Sequence, residues 1–70
     1  MTKEMKYLVF AIEYYRNVKG LSGEEVADLF AKHDVFNLVL DNYFLYHIES
    51  PDSMVADIDH FIETGRVIEA

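Results

Sequence analysis

The stretch from Val35 to Ile48, VFNLVLDNYFLYHI, constrains the fold more than any other part of the sequence. It is apolar almost throughout, and only Asn37, Asp41, Asn42 and His47 interrupt it. Such a segment is costly to leave in water, because burying apolar surface is the main favourable term in folding. We therefore expect the rest of the chain to pack around it.

The small size and composition indicate how the chain can be stabilised. Seventy residues are predicted to form one domain, 1–70, and 51% of the residues are hydrophobic. The sequence has no cysteine, so neither a disulfide nor a zinc site with thiolate ligands can stabilise the fold. Apolar packing must supply the stability, and apolar surface in excess of a small core is available for association.

The formal net charge of −7 argues against nucleic acid as a partner. Proteins that bind phosphate backbones carry clustered Lys and Arg, whereas residues 33–65 contain neither. An anionic membrane surface is disfavoured for the same reason. No apolar run approaches the ~20 residues of a membrane span, and the apolar run after Lys6 stops at Glu13, too early for a signal peptide. We expect a cytoplasmic protein.

The first half of the sequence predicts two helices, at about 3–18 and 23–33. In the first, apolar residues recur at helical spacing on two stripes, and Gly20 supplies a stop. The second begins with a capping box, in which Ser22 and Glu25 can satisfy each other's backbone amides.

The second half predicts helices at about 35–47 and 51–63. Asp34 is the expected N-cap of the third helix, and Leu38 and Leu45 are expected in its buried face. Residues 43–48 have strand propensity as well, but a lone strand would have no partner in a helical domain. Ser50 and Pro51 start the fourth helix, and residues 66–70 are predicted to be a loose tail. The fold class is therefore all-α, a compact bundle of four short helices.

Two sequence patterns have both a chemical interpretation and an ordinary structural one. The segment from Leu21 to Tyr43 resembles a helix-turn-helix unit, but its second helix lacks the Arg and Lys that meet phosphates and guanine edges. His60 and Asp57 form an i, i+3 pair of the kind found in metal sites, but one pair supplies too few ligands. We therefore expect no catalytic residues, no cofactor and no bound metal.

Aromatic residues are the remaining functional feature. The sequence has five tyrosines and five phenylalanines, which is more than a small core needs. Two compatible interpretations remain open: most of the rings belong to the core, with tyrosine hydroxyls reaching water, and some lie at a protein interface, where Tyr and Phe are enriched. The candidate partner-binding residues are Tyr7, Tyr14, Phe36, Tyr43 and Phe44.

Several motifs together resemble a family of small uncharacterised bacterial all-helical proteins. They are the Glu-Tyr-Tyr step at 13–15, L-S-G-x-E-V-x-x-L-F at 21–30, a tyrosine-rich helix reaching His47, and D-I-D-x-F-I at 57–62. Genes of that family often lie beside ADP-ribosyltransferase-like toxins. The resemblance implies a toxin–antitoxin or immunity pairing, and it supplies no binding or catalytic residues.

Together these observations predict a non-enzymatic protein–protein interaction module. The expected partner is another protein, which the resemblance implies is a toxin-like enzyme encoded nearby, and a homodimer is a further expectation. The alternative is a helix-turn-helix transcriptional regulator.

Overall fold

Five α-helices form the fold in the computed structural model, which describes residues 1–67. The all-α prediction is confirmed within these residues, and the predicted count of four helices is corrected to five. Residues 66 and 67 follow the last helix, and the remainder of the predicted tail, 68–70, lies outside the described residues. The helices are α1 Lys3–Lys19, α2 Gly23–Lys32, α3 Val35–Asp41, α4 Tyr43–Ile48 and α5 Pro51–Thr64.

Local capping residues start α2 and α5 where the sequence predicts. The Ser22 hydroxyl accepts from the Glu25 amide at 3.0 Å, and the Glu25 carboxylate accepts from the Ser22 amide at 3.0 Å. At α5 the Ser50 hydroxyl accepts from the Ser53 amide at 3.2 Å, and Pro51 occupies the first helical position. These bonds satisfy amides that have no partner inside the helix.

The start of α3 differs from the prediction. Asp34 has a left-handed backbone, with φ 59° and ψ 32°, and its side chain makes no capping bond. Its carboxylate instead accepts from the Asn37 side-chain amide at 2.9 Å. Asp tolerates this backbone region better than most residues, so Asp34 serves as the turn between α2 and α3.

The predicted third helix, 35–47, is divided at Asn42. The backbone there has φ −107° and ψ 17°, outside regular helical values. The Asn42 backbone N–H and side-chain amide both donate to the Leu38 carbonyl, at 3.1 and 2.8 Å. The side-chain amide thus adds a second donor to a carbonyl that already has its backbone partner, and the non-helical backbone of Asn42 separates α3 from α4. The alternative strand at 43–48 is not formed.

The core lies where α1, α2, α3 and α5 meet. The Tyr15 ring from α1 packs edge-on against Phe30, with ring centroids 5.3 Å apart. Leu38 is buried as predicted, but Leu45 is 52% exposed and the prediction that it is buried is wrong. Because the backbone leaves helical geometry at Asn42, the stripe that buries Leu38 does not continue to Leu45. The largest fully buried side chains are Val26, Phe30, Val35, Val39, Met54 and Ile58.

The overall size of the fold is that of an ordinary compact protein of this length. The Cα radius of gyration is 11.0 Å, which equals the ~11 Å expected of a compact 70-residue protein.

Within residues 1–67, none of the helices is both long and apolar enough to cross a membrane.

Candidate functional site

Three tyrosines of α1 hydrogen-bond to residues of the second half of the chain. The Tyr7 hydroxyl donates to the Tyr46 carbonyl at 3.2 Å. The Tyr14 hydroxyl donates to Asp52 at 2.6 Å. The Tyr15 hydroxyl donates to Asp59 at 2.7 Å, and the Lys19 ammonium forms an ion pair with the same carboxylate. These bonds fix α1 against α4 and α5.

The fixed position of α1 brings six aromatic rings into a continuous row on the surface. From Tyr14 the ring centroids are 5.8 Å apart to Phe10, 5.5 Å from Phe10 to Tyr7, and 5.8 Å from Tyr7 to Tyr43. The row continues on α4 through two contacts of His47. We call this set the aromatic row: Tyr14, Phe10, Tyr7, Tyr43, His47 and Phe44.

Stacking orders the α4 end of the row. The Tyr43 and His47 rings lie 4.5 Å apart and are nearly parallel, at 5°. The His47 Nδ1 lies 3.0 Å from the Tyr43 carbonyl oxygen, one helical turn away. Phe44 also packs edge-on against His47, with ring centroids 5.5 Å apart. These contacts fix the Tyr43 and His47 rings relative to each other, so this end of the row is preorganised.

Three large apolar side chains of α4 are exposed, namely Phe44, which ends the aromatic row, and two residues outside the row. Phe44 is 69% exposed, Leu45 52% and Ile48 63%. We call these three residues the α4 ridge. Single exposed apolar residues are ordinary, but three on a six-residue helix that also carries the end of the aromatic row are an unusually apolar exposed surface.

Four of the five predicted partner-binding residues lie in the row. Tyr7, Tyr14 and Tyr43 are half-buried, and Phe44 is exposed. Phe36 lies elsewhere, half-buried, with its ring centroid 6.0 Å from that of core residue Phe30.

Phe10, His47, Leu45 and Ile48 were not predicted as part of this surface. Helical spacing could have identified Phe10, because it lies three residues after Tyr7 and four before Tyr14. The same spacing places His47 four residues after Tyr43. The exposure of Leu45 and Ile48 follows from the break at Asn42. The continuous apolar pattern of the sequence does not indicate this break.

Tyr46 is the buried residue of α4, and its side chain is only 5% exposed. Burial raises its pKa to about 12, and the negative charges of Asp57 and Glu49 contribute further. Burial also raises the pKa of Tyr7, with a smaller contribution from Glu49. The two phenols are therefore neutral at any physiological pH.

Alkaline pH is expected to destabilise the fold through these phenols. A group whose pKa is raised in the folded state stabilises the fold below its unfolded pKa of 10.0, and this contribution is lost as the pH rises through its folded pKa, about 12 for Tyr46. Urea unfolding at pH 9, 10, 11 and 12 should show falling stability. Tyr46→Phe should fall less steeply, and equal slopes for both proteins would contradict the assignment to Tyr46.

The side chains of α3 do not present the charge that a DNA-reading helix needs. The exposed residues of α3 are Asn37 and Asp41, and the remaining five are buried or half-buried. Lys and Arg supply the electrostatic part of DNA affinity, and α3 has neither. For metals, residues 1–67 contain no group of three or more His, Asp or Glu side chains placed to hold an ion.

Comparison with known proteins identifies the family but no characterised relative. No curated protein and no solved structure matches the sequence. The profile of a family described as "Protein of unknown function (DUF3791)" matches residues 6–65, which include the whole aromatic row and the α4 ridge. The chain therefore belongs to the DUF3791 family.

Proposed function

We propose that the protein is a non-enzymatic, cytoplasmic interaction module that binds another protein through the aromatic row and the α4 ridge. The observation that carries the proposal is the exposure of Phe44, Leu45 and Ile48 beside a continuous row of rings. Exposed apolar and aromatic side chains held in fixed positions are typical of the centre of a protein interface.

The charge distribution supports a partner with a positive surface. Between positions 33 and 65 the chain has seven acidic residues and no Lys or Arg. Asp41 and Glu49, which flank α4 in the sequence, are both exposed. Complementary charge around an apolar centre accelerates association and excludes partners of the same sign.

The identity of the partner is proposed from the family resemblance. We propose a toxin-like enzyme encoded by a neighbouring gene, with this chain as its antitoxin or immunity protein. Binding that covers a basic substrate-binding surface of such an enzyme would block its activity, and an acidic, apolar surface suits that role.

Co-expression with the product of the neighbouring gene tests the proposal. We expect a tagged form of this chain to co-purify with the untagged neighbour and to relieve its toxicity. Analytical ultracentrifugation of the chain alone, over a range of concentrations, provides the control for self-association. The proposal is wrong if the two proteins do not associate and toxicity is unchanged. It is also wrong if the ridge is buried in a homodimer that persists in the presence of the neighbour.

A further inference from the structure

A cleft of about 150 Å³ lies between the α3–α4 junction and α5. Leu38 and Leu45 form part of its apolar wall, and Tyr46, Glu49 and Asp57 line its polar part. Pockets for drug-sized molecules measure ~300–1,000 Å³, so this cleft suits a single side chain rather than a small-molecule substrate. Leu45 is two residues from both Tyr43 and His47, so it lies on a different face of α4 from these members of the aromatic row.

Two negative charges converge at the cleft. The carboxylates of Asp57 and Glu49 both act on the Tyr46 phenol and raise its pKa further than burial alone. Among residues 1–67, the two ion pairs engage Glu13 and Asp59, so neither carboxylate of the cleft is neutralised by Lys or Arg there. A cation entering the cleft would meet both charges.

We propose that the cleft receives an arginine side chain of the partner protein, with its methylene stem against Leu38 and Leu45 and its guanidinium at Glu49 and Asp57. This inference rests on the proposed function and names the chemistry of one partner contact. Arginine fits better than lysine, because its planar group has five donors and can engage two carboxylates at once. Leu45 belongs to both the cleft and the α4 ridge, so one partner segment can contact both.

A peptide titration tests the cleft directly. The probe is an acetylated, amidated peptide with one arginine between two alanines, and its twin carries citrulline, which is neutral and nearly the same shape. We expect the arginine peptide to shift the ¹H–¹⁵N signals of Asn42, Leu45, Glu49 and Asp57. The citrulline peptide should bind at least about tenfold more weakly, because it lacks the charge-assisted hydrogen bonds. Equal shifts with both peptides would overturn the inference.

Variants separate the cleft from general negative charge. Glu49→Gln and Asp57→Asn should each weaken the arginine peptide by about tenfold or more. Glu63→Gln is the matched control, because it removes the same charge from an exposed position of α5 that does not line the cleft. Thermal unfolding of every variant checks that the fold is kept, and Glu49 is exposed, so its variant should fold normally. An equal loss of binding in Glu63→Gln contradicts a specific site.

The outcomes distinguish this inference from the proposed function. A complex with the neighbouring protein that depends on Phe44, but not on Glu49 or Asp57, would overturn the arginine site and leave the binding function standing. Failure of co-purification counts against the binding function, whereas the peptide titration reports on the cleft without that partner.

Discussion

Leu38→Ala is expected to lower the free energy of unfolding by about 2–5 kcal/mol, because it opens a cavity beneath a side chain that is 6% exposed. Small domains have about 5–15 kcal/mol in total, so the variant would lose a large fraction of its stability. The Asn42 side chain bonds to the Leu38 carbonyl, which alanine keeps, so the loss reports on packing alone. Urea unfolding followed by circular dichroism measures it.

Leu45→Ala is the matched control, with the same chemical change seven residues later. Leu45 is 52% exposed, so the loss should stay below about 1 kcal/mol. Equal losses at both positions would mean that α4 is buried, either in the fold or against a second copy. The pair therefore tests the break at Asn42, on which the exposure of the α4 ridge depends.

Phe44→Ala is expected to weaken the complex with the partner by about 30-fold or more, which corresponds to at least about 2 kcal/mol. The ring is 69% exposed in the free protein, so its removal should change the free energy of unfolding by only about 0.5 kcal/mol. Isothermal titration calorimetry with the co-purifying protein measures the affinity, and urea unfolding measures the stability.

Val18→Ala provides the control for loss of an exposed apolar side chain. Val18 is 52% exposed near the C-terminal end of α1 and is neither in the aromatic row nor in the α4 ridge. Its replacement should leave the affinity within about twofold of the wild type. If Phe44→Ala binds as tightly as Val18→Ala, the α4 ridge is not the interface.

The starts of α2 and α5 and the ends of α1 and α5 could be predicted, because their causes are local in the sequence. The capping box joins Ser22 to Glu25, three residues apart, and Ser50 acts with its immediate neighbour Pro51. Gly20 and Gly65 end α1 and α5 with φ of 68° and 72°, values that glycine adopts without steric cost. Each of these features needs no knowledge of the rest of the fold.

The division of the third predicted helix could not be found in the same way. The apolar pattern runs through position 42 without a proline or glycine, so periodicity favours one helix. The break depends on the conformation of Asn42, whose side chain bonds to the Leu38 carbonyl. An Asn at this position of an unbroken helix would give the same apolar pattern in the sequence. The error over Leu45 follows from this single residue.

The sequence indicates which aromatic residues are candidates for partner binding, but it indicates their arrangement only in part. Tyr7, Tyr14, Tyr43 and Phe44 were identified because aromatics exceeded the needs of the core. Their assembly with Phe10 and His47 depends on the packing of α1 against α4. This packing brings the ring centroids of Tyr7 and Tyr43 to within 5.8 Å of each other. A contact between residues so distant in sequence leaves no periodic pattern, and neither does the inward position of Phe36.

The tyrosine bonds of α1 have a consequence for how the chain assembles during synthesis. The hydroxyls of Tyr14 and Tyr15 bond to residues 38 and 44 positions later, all on α5. The ribosome releases the N-terminal helix first, so α1 emerges long before these acceptors exist. Non-local contacts form only after the closing of a long loop has been compensated. The two tyrosine bonds that hold α1 against α5 are therefore expected to form only after α5 has been released.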